Sequence, residues 1–253
     1  MSAKEPLHLA ALSTERLAGL LASPGGLVAL LPVGSTEPHG PHLPLSTDQI
    51  ISEGVAERAA RALRERGVLA LVAPGVPYGV TDFARGFKGA LSVPAPALTE
   101  FLRAVAAALL GEGFVHVCLV NNHLEPAHDA AVREAARGFG ARASVACPLT
   151  RRWARTRGDE FKSGACHAGR YETSLVAALC PSQVDQASAA ALPEVAISLS
   201  DGIGRQLTSF QAMGIDRAYT GSPARATAAE GERTLELLSA MVVAEVLEAL
   251  GQA

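Results

Sequence analysis

Residues 27–48, LVALLPVGSTEPHGPHLPLSTD, decide the fold because an uninterrupted apolar run passes here directly into a polar loop. The run 27–33 is short and apolar throughout, which is typical of a strand buried on both faces of a parallel sheet. A helix should follow to about Arg66, with Thr47 or Asp48 capping its first turn. The stretch therefore predicts a strand-loop-helix unit of an α/β protein.

The rest of the chain repeats this alternation. Apolar strands are predicted at 68–72, 114–120 and 141–147, and helices at 13–23, 98–111, 126–138, 171–179 and 224–249. Strands that alternate with helices form parallel sheets that helices cover on both faces. We therefore predict one domain, residues 1–253, with an α/β fold: a three-layer α/β/α sandwich with a mainly parallel central sheet.

Three segments lack a periodic pattern. Residues 73–97 contain Gly and Pro and are interpreted as a functional loop or flap, and residues 149–170 are also irregular. Trp153 in the second segment is either a pocket wall or a packing residue. Residues 183–222 are polar and rich in Gly, and a β-arm, an oligomer contact and a lid are all open interpretations.

Composition excludes several classes of protein. The 253 residues carry 22 Lys and Arg against 25 Asp and Glu, so the basic surface that nucleic acid binding needs is missing. Hydrophobic residues make up 49 % of the chain, but no apolar stretch approaches the ~18 residues of a membrane span. The N-terminus lacks the apolar region of a secretory signal, so a cytoplasmic protein is expected. Four cysteines without a C-x-x-C pair indicate neither a disulfide framework nor a zinc ribbon.

Side chains with metal-binding chemistry follow the first and third predicted strands. Glu37 and His39 are two positions apart, as are His123 and Glu125, and this spacing points both side chains of a pair to the same side of extended backbone. Asp48 lies where a helix begins and could bridge two ions. Ligands of parallel sheets bind beyond the carboxyl ends of the strands, and these five residues are enough for two metal ions.

Each histidine and carboxylate also has a simpler interpretation when it is taken alone. Asp48 would be a helix cap, and His42, followed by Leu-Pro, would be structural. His116 lies inside a predicted strand and is interpreted as a core or edge residue. We expect His8 and His128 at the surface.

Four stretches resemble the creatininase family of metal-dependent amidohydrolases. Residues 31–48, LPVGSTEPHGPHLPLSTD, resemble its opening metal motif, and residues 121–126, NNHLEP, resemble its second. Residues 166–174, CHAGRYETS, and residues 221–231, GSPARATAAEG, resemble two later motifs, and all four stand in the family's order. The resemblance implies the family's α/β fold and assembly of identical chains into a homo-hexamer.

The resemblance also implies the ligand sets. Glu37, Asp48 and His123 would hold one divalent ion, and His39, Asp48 and Glu125 the second, with zinc, manganese or iron as the candidates. Such ions lower the pKa of a shared water, and the resulting hydroxide attacks an amide carbon.

Catalytic roles follow from the same resemblance. Glu125 is expected to orient the water, and His167 matches the family's catalytic histidine, which would protonate the leaving nitrogen. Taken alone, His167 would be a helix-start residue. Glu172 is either a partner that orients a histidine ligand or a favourable charge in the first turn of a helix.

Departures from creatininase itself bear on the substrate. Where that enzyme has Ser, Tyr and Trp, this chain has Thr81, Leu124 and Ser163, and these positions, with Cys166, are assigned to substrate binding. The substrate is therefore expected to be a cyclic amide, formamide or small amide other than creatinine.

Two alternatives stay open. Relatives of the mycofactocin-maturation type share these motifs, so the chain could be a peptidase that trims a modified precursor peptide. It could also be a metal-binding protein that kept the fold and lost the reaction.

Overall fold

A computed structural model describes residues 6–156 and 158–252, and its centre is a parallel sheet. Four strands occur in this part of the chain: β1 Leu27–Val33, β2 Leu69–Val72, β3 His116–Asn121 and β4 Ala143–Ala146. Their order is β2-β1-β3-β4, and every neighbouring pair is parallel. All four carboxyl ends therefore meet at one edge of the sheet.

Helices cover both faces of the sheet. The longer ones are α1 Thr14–Leu21, α2 Thr47–Glu65, α3 Ala95–Glu112, α4 Pro126–Arg137, α7 Arg170–Leu179 and α10 Ala228–Ala249. Short helices are α5 Arg151–Ala154, α6 Asp159–Ser163, α8 Gln186–Ala191 and α9 Leu199–Gly204. Within the described ranges, none of these helices has both the length and the apolar character to cross a membrane.

Strand β1 shows why the sheet needs helices on both sides. Leu27 and Leu31 belong to the apolar core under α1, α3 and α4, whereas Val28 and Leu30 belong to the core under α2, α7 and α10. Each fully buried side chain of this type contributes about 1.5–3 kcal/mol to stability. The arrangement confirms the predicted three-layer sandwich.

The start of α2 is held against the end of β1. A Cβ atom on Gly34 would lie only 2.7 Å from the backbone nitrogen of Gln49, so glycine permits this close approach. The predicted cap is wrong, because Ser46 occupies that position and makes no side-chain capping bond. Instead, the Thr47 hydroxyl donates to the Pro44 carbonyl at 2.7 Å, and Asp48 is buried.

The three unassigned segments lie around the carboxyl edge of the sheet. Residues 73–94 form a flap without helix or strand, as expected. In residues 183–222, Val195 pairs with Gly221 in an isolated bridge, so no β-arm forms. Phe210 and Ile215 of this segment form a small apolar core against Phe83 of the flap. The segment therefore covers the end of the sheet where the polar residues lie.

Candidate metal centre

Two groups of buried side chains that share Asp48 meet at the carboxyl edge of the sheet, and a third possible ligand group, Glu37, His39 and His167, overlaps them. In the first, His123 Nδ1 lies 2.9 Å from Asp48 Oδ2 and 3.3 Å from Glu37 Oε1. In the second, His39 Nε2 lies 3.3 Å from Asp48 Oδ1 and 3.4 Å from Glu172 Oε2. Asp48 belongs to both groups and offers one carboxylate oxygen to each.

Hydrogen bonds fix the orientation of both imidazoles. His123 donates from Nε2 to the Val80 carbonyl at 2.7 Å, and His39 donates from Nδ1 to the Glu37 carbonyl at 3.1 Å. The other ring nitrogen of each histidine faces the carboxylates. Partners of this kind set the tautomer of a metal-binding histidine.

The carboxylates are oriented in the same way. Ser35 Oγ donates to Asp48 Oδ2 at 3.0 Å, and the Ala168 amide donates to Glu172 Oε2 at 2.6 Å. The Thr81 hydroxyl donates to Glu37 Oε2 and is completely buried. Thr81, assigned to the substrate from the sequence, is therefore placed to orient Glu37, and it does not line the cavity.

The charges of the two groups fit divalent cations. Burial by itself would lower the pKa of His39, but attraction to Asp48 and Glu172 outweighs it and raises that pKa to about 10. Burial would raise the pKa of Asp48, yet His39 and His123 hold it well below the usual range. Buried carboxylates of this kind are stable only beside a positive charge. A divalent metal ion would supply that charge, and the neutral imidazoles would bind it through their lone pairs. The mixed nitrogen and oxygen donors suit zinc, manganese or iron.

Glu125 stands apart from both groups. Its carboxylate accepts hydrogen bonds from the backbone amides of Asp82 at 3.0 Å and Phe83 at 3.1 Å. It lines the cavity, and burial raises its pKa to about 7. The structure therefore brings Glu172, and not Glu125, to His39.

His167 faces the same cavity. Its Nε2 donates to the Pro38 carbonyl at 3.0 Å, and its Nδ1 lies 3.8 Å from Glu37 Oε1. Burial lowers its pKa to about 4, and the charge of His39 adds to this effect. Helix α7 begins only at Arg170, after Ala168 with a φ of 48°, so His167 does not start the helix. Burial thus favours the neutral imidazole at this position, beside the two candidate ligand groups.

The cavity above these groups has a volume of about 50 Å³ and an apolar wall. Leu124 and Cys166, both assigned to substrate binding from the sequence, line it. The segment 183–222 supplies most of the remaining wall, with the side chains Leu199, Ile203, Phe210 and Met213, and Phe83 and Pro126 complete it. Of the interpretations left open for this segment, the lid agrees with its position.

Two residues singled out from the irregular segment 149–170 lie away from the cavity. Ser163 is exposed, and its hydroxyl donates to the Glu160 carbonyl at 2.8 Å, so the structure does not bring it to the site. The Trp153 indole donates to Glu245 on α10 at 2.6 Å. Trp153 therefore packs against a helix and is not a pocket wall.

His128 was missed by sequence reasoning. The prediction of a surface residue is wrong, because His128 is buried and its ring lies 4.6 Å from the His123 ring. Its Nδ1 accepts from the Val80 amide at 3.2 Å. The signal was available: Ala131, Val132 and Ala135 follow at helical spacing, so His128 shares the apolar face of α4.

Comparison with known proteins gives consistent results. The creatininase family profile, described as creatinine amidohydrolase, matches residues 11–246. The mycofactocin precursor peptide peptidase of Mycolicibacterium smegmatis is 32% identical over 216 residues, which is 81% of this chain and 78% of that protein. The creatinine amidohydrolase of Pseudomonas putida is 30% identical over 106 residues, 40% of this chain and 39% of that protein. A solved structure named creatininase Mn superposes with a TM-score of 0.73 at 21% identity, covering 96% of this chain and 98% of that one.

Proposed function

The chain belongs to the creatininase family of hydrolases, and from this premise we propose that it cleaves an amide bond of a peptide with two divalent metal ions. The observation that carries the proposal is the shared carboxylate: Asp48 offers one oxygen to the group around His123 and the other to the group around His39. Two neighbouring cation sites joined by one carboxylate are typical of dinuclear hydrolases.

The geometry supports one assignment of the ligands. Glu37, Asp48 and His123 would hold one ion, and Asp48 with His39 and Glu172 would hold the second. This assignment replaces Glu125 with Glu172. When bound, such ions lower the pKa of water and polarise the carbonyl under attack.

His167 is proposed to move the proton. Because its Nε2–H is bonded to the Pro38 carbonyl, the lone pair is on Nδ1, which faces the cavity. His167 would accept a proton at Nδ1 from the attacking water and transfer it to the leaving nitrogen as the C–N bond breaks, a contribution of about 10²–10⁴-fold. Glu125, with a pKa of about 7, is a second group that can hold a proton near neutral pH.

A peptide substrate is supported by the space around the site as well as by the similar peptidase. The cavity of about 50 Å³ holds little more than the scissile group. It adjoins a groove of about 580 Å³, and both are lined by Leu124, Cys166, Leu199 and Ile203. Such a groove can receive an extended chain on one side of the cleaved bond.

A small cyclic amide is the second candidate substrate. The similarity to a creatinine amidohydrolase and the small volume of the inner cavity favour it. Against creatinine itself, Leu124 and the lid supply an apolar wall with few polar groups. The homo-hexamer and the cytoplasmic location belong to the same proposal and rest on the family resemblance; light scattering of the purified protein tests the hexamer.

The test uses the metal-loaded protein with randomised ten-residue peptides and, separately, with creatinine and other cyclic amides. We expect cleavage of peptides that is lost with a chelator and regained with zinc or manganese. Cleavage of cyclic amides alone would select the second candidate. Bound metal with no cleavage in either set would support the catalytically silent alternative.

A further inference from the structure

We propose that the groove beside the active site binds an acidic segment of the peptide substrate, with Asp and Glu side chains opposite three cations of the protein. The inference rests on the proposed function, because it names the substrate class of the same site. The groove, called the outer groove below, is bounded by α5, α6 and α9 and has a volume of about 580 Å³.

Three cationic side chains line the outer groove. Arg151 and Arg155 come from α5 and its C-terminal end, and Lys162 comes from α6. All three are exposed, and the described part of the chain offers none of them an ion pair. Arg152, by contrast, is bonded to Glu248 on α10 at 2.5 and 2.8 Å and does not line the groove.

No described acidic side chain lines the outer groove. Glu160 on α6 lies two residues before Lys162, but its carboxylate accepts hydrogen bonds from the backbone amides of Tyr171 and Ser222, both at 2.8 Å. Among the described residues, the three cations therefore have no ion-pair partner and no acidic neighbour in the lining of the groove. Uncompensated charge of one sign in a groove attracts ligands of the opposite sign.

The base of the outer groove is apolar and leads to the reacting groups. Leu149 and Ile203 are large hydrophobic side chains that are 39% and 38% exposed. Ile203, with Leu124, also lines the inner cavity beside His167. An apolar floor with a cationic rim suits a peptide, whose backbone and aliphatic groups cover the floor while its carboxylates meet the rim.

The number of cations favours an acidic segment over a single carboxylate. Arg151 and Arg155 lie four residues apart, while Lys162 belongs to a separate helix. A peptide C-terminus carries one carboxylate and would leave at least one of these cations unmatched. Two or more acidic side chains can match all three.

The experiment measures binding of matched peptides to the metal-loaded His167→Ala protein, so that slow turnover does not obscure the equilibrium. The probes are ten-residue peptides labelled with tetramethylrhodamine: one with several Asp and Glu residues and an amidated C-terminus, and the same peptide with Asn and Gln. A third peptide has Asn and Gln and a free C-terminal carboxylate. Fluorescence anisotropy gives the three dissociation constants.

We expect the acidic peptide to bind about tenfold more tightly than its neutral counterpart at low salt, and the preference to shrink in ~0.5 M salt. The double variant Arg151→Gln/Arg155→Gln should reduce the preference to within about twofold, and Lys162→Gln should reduce it partly. Arg66→Gln is the matched control: Arg66 is also exposed, but it precedes β2 at the opposite edge of the sheet. Its substitution should leave the preference unchanged.

Equal binding of the acidic and neutral peptides, or an equal effect of Arg66→Gln, would overturn the inference. A preference for the free C-terminus alone would also overturn it and would assign a single-carboxylate site instead. The proposed function fails separately, if the unsubstituted, metal-loaded protein cleaves no peptide of any of the three series. The binding measurement therefore tests the acidic segment, and the cleavage measurement separately tests the proposed function.

Discussion

The two sides of the active-site cavity are built differently. The floor consists of buried polar groups at strand ends and helix starts: Glu37, Asp48, His123 and Glu172 line the cavity, and His39 contacts Asp48 and Glu172 from below its surface. The cover consists of Leu199, Ile203, Phe210 and Met213, which are apolar groups of the loop and helix segment 183–222. Nearly every floor side chain has a fixed hydrogen-bond partner, whereas the cover makes van der Waals contacts.

This difference separates chemistry from selectivity. A floor held by the sheet keeps reacting groups within a few tenths of an ångström, as catalysis requires. A cover on loops can change the shape of the cavity without moving the ligands. Substitutions in the floor should therefore reduce turnover, and substitutions in the cover should change substrate affinity.

The largest effect is expected for Asp48→Asn in the floor. Because Asp48 serves both ligand groups, its loss removes metal assistance worth several kcal/mol, roughly a thousandfold in rate. The measurement is kcat/KM for a cleaved peptide. Glu112→Gln, an exposed carboxylate at the C-terminal end of α3 and outside the cavity and the outer groove, is the control and should retain full activity. An equal loss of kcat/KM in both variants would contradict the special role given to Asp48.

His167→Ala should have the next largest effect. We expect kcat to fall about 10²–10⁴-fold while metal content stays unchanged, since in the proposed function the imidazole moves the proton and other side chains hold both ions. Steady-state kinetics and elemental analysis of the same preparation check this. Full activity in the variant would show that another group moves the proton.

Ile203→Ala probes the cover. Its side chain lines both the inner cavity and the outer groove, so truncation should raise KM about three- to tenfold with kcat nearly constant. Leu237→Ala, which truncates a side chain that is 43% exposed on α10, should change neither constant. A fall in kcat without a change in KM would place Ile203 with the floor.

Ser163→Ala should have the smallest effect. The Ser163 hydroxyl is exposed and bonded to the Glu160 carbonyl, so we expect kcat/KM to change less than about twofold. A larger loss, in a variant whose melting temperature is unchanged, would restore Ser163 to the substrate site.

The sequence predicted the floor better than the cover for a physical reason. An uninterrupted apolar run as short as 27–33, flanked by glycine on both sides, favours an inner strand over a buried helix, so its position follows from local pattern. Glu37 and His39, which follow that strand, are positioned with it. The cover has no such periodicity, and only tertiary contacts such as Phe210 against Phe83 place it.

Glu172 in the floor and His128 beside it show where prediction from the sequence fails. The charge of Glu172 suits the first turn of a helix, and only the packing of α7 against α2 reveals that it faces His39. His128 was assigned to the surface by residue type, although its helical spacing indicated the core. The local interpretation of Glu172 is overridden by the packing of two helices, whereas the local spacing around His128 by itself indicates its burial.

The most direct test of the account is the metal content per chain of the unsubstituted protein, Glu172→Gln and Glu125→Gln. The geometry predicts about two ions for the unsubstituted protein, about one for Glu172→Gln and about two for Glu125→Gln. The reason is that, of these two glutamates, Glu172 lies beside His39, whereas Glu125 is bonded to the Asp82 amide. The opposite pattern, with an ion lost from Glu125→Gln and both retained in Glu172→Gln, would contradict the account.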